Sequence, residues 1–363
     1  MKNAYWVCPL CNFKANVYEK YFWRCPKCGS ALRIDYHYEF EPKGYGLNRY
    51  ASMFPFIPAK TAGEGATPSV VELIAGNEII FKLEYLNPSG SFKDRGTCLA
   101  IHYAHQLGFK KVVEDTSGNT GISVALYARK YNLKATIVMP RYAPYGKKTL
   151  IKLLGGEVVE TPTRGDASRK VLEYTDMFYV AHIWNPLYII GASTIAYEVF
   201  EQEGVPDYII TPIGSGGLFL GLIEGFEKLY ELGVVDKVPT PIGVQGYSVQ
   251  PVYEELYGKS LKGENSDLAD GILVPNPPRK KEIAEKIKRY NGRVVLVGNS
   301  DIIRAWKELF EKGYIVEPTS AAPFAGYFKV LDRIGPGKTI LIPLTGSGLK
   351  TLDIASKLLT SRR

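Results

Sequence analysis

YIITPIGSGGLFLGLIEGFEKLYEL (residues 208–232) passes from a β-branched run into glycines and then into a helical repeat. "YIITPI" (208–213) is short, apolar and bounded by turn residues, as a buried strand is, while 217–232 repeats its apolar residues at helical spacing. Strand, glycine loop and helix make half of a βαβ unit. The same alternation continues on both sides. Strands are predicted at "IIFKLEYL" (79–86), "KVVED" (111–115), "KATIVMP" (134–140), "EVVE" (157–160), "IGVQG" (242–246), "RVVLVG" (293–298) and "KTILIPLTG" (338–346). Amphipathic helices are predicted over 95–107, 120–131, 145–154, 190–203, 280–290, 301–312 and 320–332. The pattern implies mostly parallel sheets with helices on both faces. About eight such strands in 363 residues exceed one comfortable core, so two α/β domains sharing a cleft are expected.

Composition is consistent with this. Hydrophobic residues make up 45% and charged residues 23%, as in a soluble globular protein, and no apolar run reaches the length of a membrane span. The start, "MKNAYWVCPLC", has no charged-then-apolar leader, which predicts a cytoplasmic protein with no membrane partner. Net charge is +8, from 45 Lys and Arg against 37 Asp and Glu, but the basic residues are scattered. A solvated lysine-rich surface explains that excess, anionic small substrates come second, and no nucleic-acid face is expected.

Four of the five cysteines fall within 21 residues, as "CPLC" (Cys8, Cys11) and "CPKC" (Cys25, Cys28). Two such knuckles 13 residues apart suit four thiolates converging on one tetrahedral Zn²⁺ better than a disulfide scaffold, with redox pairs as the alternative. Without a histidine or an open position, such a site is structural. Cys98 sits in a helical pattern as a small core residue, and His102 and His105, three apart, read as satisfied helical residues.

Three loops between strands and helices stand out, and such junctions are where open α/β sheets bind ligands. In "NPSGSFKDRG" (87–96), Ser91 and Asp94 fit a capping box for a helix running from Phe92 to Gly108, which puts Lys93 in the first turn. A cation is disfavoured at a helix N-terminus. Lys93 is then either one more solvated lysine or an amine held neutral, ready to condense with an aldehyde. "DTSGNTG" (115–121) offers hydroxyls, an amide and backbone N–H groups to an anion, or is a turn capped by Thr116 or Asn119. "PIGSGGLFLG" (212–221) exposes N–H groups to a phosphate, yet Phe219 stands where a dinucleotide fingerprint needs its third glycine. A phosphate on a smaller cofactor fits better. An aldehyde-reactive lysine, a cofactor-phosphate loop and a carboxylate loop are the parts that pyridoxal phosphate requires.

At these residues the chain resembles the fold-type-II pyridoxal-phosphate enzymes, the tryptophan synthase β-like group, and within it the threonine synthase family. The stretches that carry the resemblance are the cysteine knuckles found in archaeal members, "GEGATP" (63–68), "KLEYLNPSGSFKDRG" (82–96), "SGNTG" (117–121), "EPTSAAPFAG" (317–326) and "LTGSGLK" (344–350). The resemblance implies an α/β fold of two domains with a zinc-ribbon-like module over 1–36 and a connecting arm over 37–62. The large domain would be 63–92 with 196–363, and a smaller mobile domain, 93–195, would close over substrate. Lys93 would carry the cofactor as a Schiff base and act as the catalytic residue. Gly214, Ser215, Gly216, Gly217 and Leu218 would wrap its phosphate, Asn119 would meet its ring hydroxyl and Thr345 its ring nitrogen. Ser91, Ser117, Gly118, Asn119 and Thr120 would hold a small anionic amino-acid substrate, with Ser117 and Thr120 at its carboxylate. A homodimer is the expected assembly.

One departure bears on the substrate. Threonine synthases follow an Asn-Pro with an arginine that binds the phosphate of O-phosphohomoserine, then a "GQKT"-like run. The matching run here is "NPLYIIGASTIAYE" (185–198), with Tyr188 in the arginine's place and Ala192 and Ser193 where Gln and Lys are expected. A tyrosine lacks the charged two-point grip of a guanidinium. Lys147, Lys148 or Arg164 could supply it instead. The expected reaction is that of threonine synthase. The alternatives are an O-phosphoserine or O-acetylserine sulfhydrylase, a cysteate synthase or, in another class, a nucleic-acid-binding regulator on this scaffold.

Overall fold

The computed structural model describes residues 3–359; Met1, Lys2 and residues 360–363, which belong to the outermost domain ranges expected above, lie outside it. Alternation opens the chain. In β1 (Ala4–Val7), Ala4 and Trp6 are buried and Tyr5 and Val7 only partly, the period of two that a strand imposes. It pairs antiparallel with β2 (Lys14–Asn16) and β3 (Arg33–Tyr36), in the order β2-β1-β3. The stretch 37–62, expected as a connecting arm, contains a 3-10 helix, Gly46–Met53. Its buried Leu47, Tyr50 and Met53 are three apart, the repeat of that helix.

β4 (Ser69–Ile74) and β5 (Asn77–Lys82) form a hairpin across Ala75 and Gly76, both at positive φ (49° and 80°), as a two-residue turn matched to strand twist requires. β4 was not anticipated, because it is the outer strand of its sheet and its burial lacks a clean alternation. The strand expected over 79–86 ends at Lys82, and Glu84–Leu86 coil into a 3-10 turn.

Strand and helix then alternate as α1 (Lys93–Gln106), β6 (Lys111–Asp115), α2 (Asn119–Lys130), β7 (Lys134–Pro140), α3 (Tyr145–Leu153), β8 (Glu157–Thr161), α4 (Arg164–Lys170), β9 (Phe178–Tyr179) and α5 (Leu187–Glu203). These four strands form a parallel sheet in the order β8-β7-β6-β9. β9 is two residues long, too short to show a period. The alternation resumes with β10 (Tyr208–Pro212), α6 (Gly217–Glu231), β11 (Thr240–Gly246), α7 (Pro251–Tyr257), α8 (Lys280–Arg289), β12 (Arg293–Val297), α9 (Asn299–Glu311), α10 (Pro318–Ile334), β13 (Thr339–Pro343) and α11 (Leu352–Leu359). The second sheet runs β12-β11-β10-β13-β5-β4, parallel except for β4. Its inner strands are near-continuous apolar runs because both faces are covered.

The chain divides into two compact units. Unit 1 takes the chain up to Ala66, then Asn87–Ser89 and Lys93–Thr194; unit 2 takes Thr67–Leu86, Gly90–Phe92 and the chain from Ile195 onward. Unit 1 has a core cluster around Val113, Val138, Val171 and Tyr179, flanked by Trp23 and Trp184. Unit 2 is built around Phe81, Ile210, Val244, Trp306 and Phe324. No helix among the described residues is long and apolar enough to cross a membrane.

Candidate active site

In unit 2 the order of the strands switches sides at β10: β11 and then β12 follow it outward on one side, while β13 lies on its other side with β5 beyond. The carboxyl ends of strands at such a switch are where this architecture binds ligands. Hydrogen bonds join the loops there. Leu344 N–H donates to the Lys82 carbonyl at 2.8 Å, Tyr85 N–H to the Leu344 carbonyl at 2.9 Å, and Phe92 N–H to the Thr345 carbonyl at 3.1 Å. Thr345 is buried, with its Oγ1 at 3.0 Å from Ser320 Oγ, and the Ser320 oxygen accepts from Gly346 N–H at 2.9 Å. Ser320 was not singled out from sequence, although it lies inside the "EPTSAAPFAG" motif.

The capping box expected of Ser91 and Asp94 is not formed. The helix begins at Lys93 rather than at Phe92, leaving Ser91 a residue too early to serve as its cap. The Asp94 carboxylate instead accepts from Ser89 N–H at 2.6 Å and from the Ser123 hydroxyl at 2.5 Å. Burial pushes the Asp94 acid up to about 6, against those two hydrogen bonds. Ser91 Oγ is fully buried and has no hydrogen-bond partner among the described residues, so it has capacity to meet a ligand.

The glycine loop fits a phosphate for three separate reasons. A Cβ on Gly214 would lie 2.4 Å from the Gly271 carbonyl oxygen, so the two backbones can approach only with glycine there. Gly216, at φ 92°, caps α6 in the left-handed region and, being glycine, offers no side-chain cap of its own to that end of the helix. A Cβ on Gly217 would meet nothing within 4 Å, which leaves open space at the first residue of α6, where N–H groups face an anion. Ser215 is half-buried, and Leu218 is buried behind them.

Unit 1 has its own switch. β6 leads to β7 and β8 on one side and has β9 on the other, and the "SGNTG" loop leaves the end of β6. Thr116 Oγ1 accepts from Gly118 N–H at 3.0 Å, and Gly118, at φ 149°, precedes α2 without a side-chain cap of its own. Ser117 and Asn119 are half-buried and Thr120 is buried. The Gly118 position is closed from the other side by Lys147, whose Cδ would lie 2.2 Å from an added Cβ.

Lys93, half-buried as the first residue of α1, is electrostatically coupled to two groups that sequence reasoning did not select. Glu114, one residue before the end of β6, bonds through its carboxylate to His182 Nδ1 and is buried. Burial raises the Glu114 acid well above the carboxylate range, Asp115 adds to this, and Lys93 opposes it. Burial, then Lys93 and Arg164, hold His182 well below the imidazole range. Both shifts favour the uncharged forms. His182 stands in "YVAHIWNP", which has no motif around it.

Tyr188, in the place expected for an arginine, is a packing residue. Its hydroxyl lies 2.9 Å from Thr97 Oγ1, and its ring and Cα would lie 2.5–2.6 Å from a Cβ on Gly96. Lys148 is engaged by Glu160 and the Arg141 carbonyl, each at 2.9 Å.

The four knuckle thiols meet as the spacing predicts. Their sulfurs lie within 4.8 Å of one another, with Cys8 to Cys28 at 3.6 Å and Cys11 to Cys25 at 3.4 Å, and all are free of disulfides. Tetrahedral Zn–S bonds of about 2.3 Å would place sulfurs about 3.8 Å apart, so the set fits that ion. Between the knuckles, Tyr21 stacks on Phe178 (centroids 4.1 Å apart) and Trp23 meets Tyr179 and Trp184 edge-on.

A family model described as pyridoxal-phosphate dependent enzyme matches residues 61–346. The threonine synthase of Synechocystis sp. is 32% identical over 83% of this chain and 78% of its own length. That of Methanocaldococcus jannaschii is 29% identical over 91% of this chain and 89% of its own. Among solved structures, the O-acetylserine dependent cystathionine beta-synthase from Helicobacter pylori superposes with a TM-score of 0.66 at 24% identity, covering 80% of this chain and 95% of that one, which is a likeness of fold. Motifs, topology and relatives therefore agree that the chain belongs to the pyridoxal-phosphate dependent enzymes of fold type II, within the threonine synthase family.

Proposed function

We propose that the enzyme converts O-phosphohomoserine and water into threonine and phosphate. The relatives named above support the reaction. The observation that carries the site is the bond from Phe92 N–H to the Thr345 carbonyl: it ties the segment entering Lys93 to the sheet end that also presents the glycine loop. Pyridoxal phosphate, when bound, supplies a conjugated ring that takes up the electron pair left at the substrate Cα. In this reading Gly214, Ser215, Gly216, Gly217 and Leu218 hold its phosphate, Asn119 its ring hydroxyl, and Thr345, backed by Ser320, its ring nitrogen. A neutral hydroxyl at that nitrogen favours elimination and replacement over transamination. Ser117 and Thr120 hold the substrate carboxylate, with Ser91, Gly118 and Asn119 beside them. Lys93 Nζ, which bonds the cofactor at rest, takes the proton from Cα and moves protons as phosphate leaves and water adds. Such positioned proton transfer contributes about 10²–10⁴-fold.

Lys93→Ala should bind the cofactor weakly, lose the visible absorbance of the lysine-bound form and lose all turnover; an active alanine variant ends the mechanism. One observation favours a second reading. Tyr188 is buried in the arginine's place, which suits a sulfhydrylase acting on O-phosphoserine or O-acetylserine. Incubation with O-phosphohomoserine alone, and separately with O-phosphoserine plus sulfide, separates the two by the amino acid formed. The four cysteines are assigned one structural Zn²⁺, on the convergence of their sulfurs, and a cytoplasmic location belongs to the same reading.

A further inference from the structure

We propose that the cysteine module braces the substrate loop of unit 1: its metal fixes Tyr21 and Trp23 on Tyr179, and Tyr179 holds Asp115, which opens that loop. Tyr21 is thereby a positioning residue for the reaction. The proposal rests on the reading of residues 115–121 as the substrate loop, and gives the module a part in it.

The segment after β9 is poorly held by its own contacts. β9 is two residues long and forms an edge of its sheet, and its ladder to β6 ends with Val180 N–H donating to the Val113 carbonyl at 2.9 Å. Ala181 follows, buried and at φ 52°, in the left-handed region that alanine avoids. Such a backbone persists only where its surroundings over-determine it. The Ala181 carbonyl accepts from Trp184 and Asn185 N–H, both at 2.8 Å, which closes a turn.

The surroundings come in part from the module. Tyr21 stacks on Phe178, and its hydroxyl donates to the Tyr179 carbonyl at 2.7 Å. Trp23 lies edge-on to Tyr179 before the turn and to Trp184 within it, with centroids 5.4 Å apart in both pairs. The module is itself seated on α1, where the Tyr103 hydroxyl donates to the Val17 carbonyl at 2.5 Å. Tyr21 and Trp23 belong to the loop between Cys11 and Cys25, and four sulfurs closed on one ion fix the ends of that loop.

From the braced segment two side chains reach the end of β6. The Tyr179 hydroxyl donates to Asp115 Oδ1 at 2.5 Å, and His182 Nδ1 bonds to the Glu114 carboxylate. Asp115 also accepts from the Ser168 hydroxyl at 2.7 Å. The chain continues from Asp115 into Thr116 and "SGNTG", so a displacement of Tyr179 passes to the groups assigned to the substrate carboxylate. Every residue in this series of contacts lies in unit 1.

The test uses full-length holoenzyme of the wild type, Tyr21→Phe, Tyr179→Phe and the double variant. Zinc content, hydrogen exchange over 112–121 and 178–188, and KM and kcat are measured, with whichever substrate the wild type turns over. Tyr21→Phe keeps the stack and deletes one hydroxyl. It should retain its zinc, exchange faster over both peptides, and raise KM roughly twofold to tenfold with kcat nearly unchanged. Tyr179→Phe should do the same, and the double variant should not exceed the larger single effect, since both break one series of contacts. Zinc extraction from the wild type should accelerate exchange over the same peptides; should it unfold the module, the zinc-loaded variants decide. Unchanged exchange over 112–121, in Tyr21→Phe or after extraction, overturns the proposal. Faster exchange with unchanged KM also overturns it, because that marks packing alone, and so do additive KM effects, which mark independent routes. A wild type without a visible band that borohydride bleaches sinks the cofactor reading instead, and exchange over 112–121 still reads the brace.

Discussion

At the scale of single residues, the glycine loop separates fold from function. Gly214 and Gly217 look equivalent in sequence, yet one meets a carbonyl oxygen and the other meets nothing. Gly214→Ala should cost about 1–3 kcal/mol of stability through overpacking, read as a lower Tm. Gly217→Ala should leave Tm unchanged or slightly raised, since alanine is the better helix former. Its methyl would occupy the space open to a phosphate, so cofactor affinity measured by equilibrium titration should fall at least about tenfold, or 1.4 kcal/mol. Equal effects at both positions would refute the assignment of this loop. Lys93 was legible because its motif is local. Glu114, His182 and Ser320 were not, since each acquires meaning only from a partner 25 or more positions away.

At the scale of elements, α1 carries opposing titrations. Asp94 is raised to about 6 by burial, so its contribution to stability declines as pH rises from about 4 through 6. His102 is lowered from 6.5 to about 4, by burial first and then by His105. Its Nδ1 accepts from Ala59 N–H at 3.4 Å and lies 3.2 Å from the Tyr131 hydroxyl, as befits a satisfied neutral imidazole. A depressed histidine contributes stability that is present above 6.5 and lost as pH falls toward 4. Relative to wild type, His102→Gln should therefore gain stability progressively as pH falls from 6.5 to 4, checked by Tm against pH. A constant difference across that range contradicts the assignment. The cysteine module is the other element with a clear test. Structural zinc supplies on the order of 10 kcal/mol of folding free energy in small modules, so chelation should release one equivalent of zinc and alter tryptophan emission through Trp6 and Trp23. Cys28→Ser, at an exposed knuckle position, should weaken retention of the metal without creating a core cavity.

For the molecule as a whole, ligand linkage predicts that the cofactor raises stability. At a concentration 100 times Kd the gain is about 2.7 kcal/mol, so removing and restoring pyridoxal phosphate should lower and then raise Tm. Trp306 is the sole tryptophan of unit 2 and Trp6, Trp23 and Trp184 lie in unit 1, so mutants that retain one or the other set can report each unit separately. A Tm indifferent to the cofactor would contradict the family's chemistry for this chain. The α/β alternation, the four-cysteine knuckles and the positions of the glycine and lysine loops were all determined by sequence alone. Period, turn residues and spacing are local properties, and a chain expresses them before any distant contact forms. Tertiary structure alone decided the order of the strands, the edge position of β4, the failure of Ser91 to cap α1 and the pairing of Glu114 with His182. Each of those depends on which distant residue occupies the space next to a group, and burial then sets whether its charge and hydrogen bonds can be satisfied.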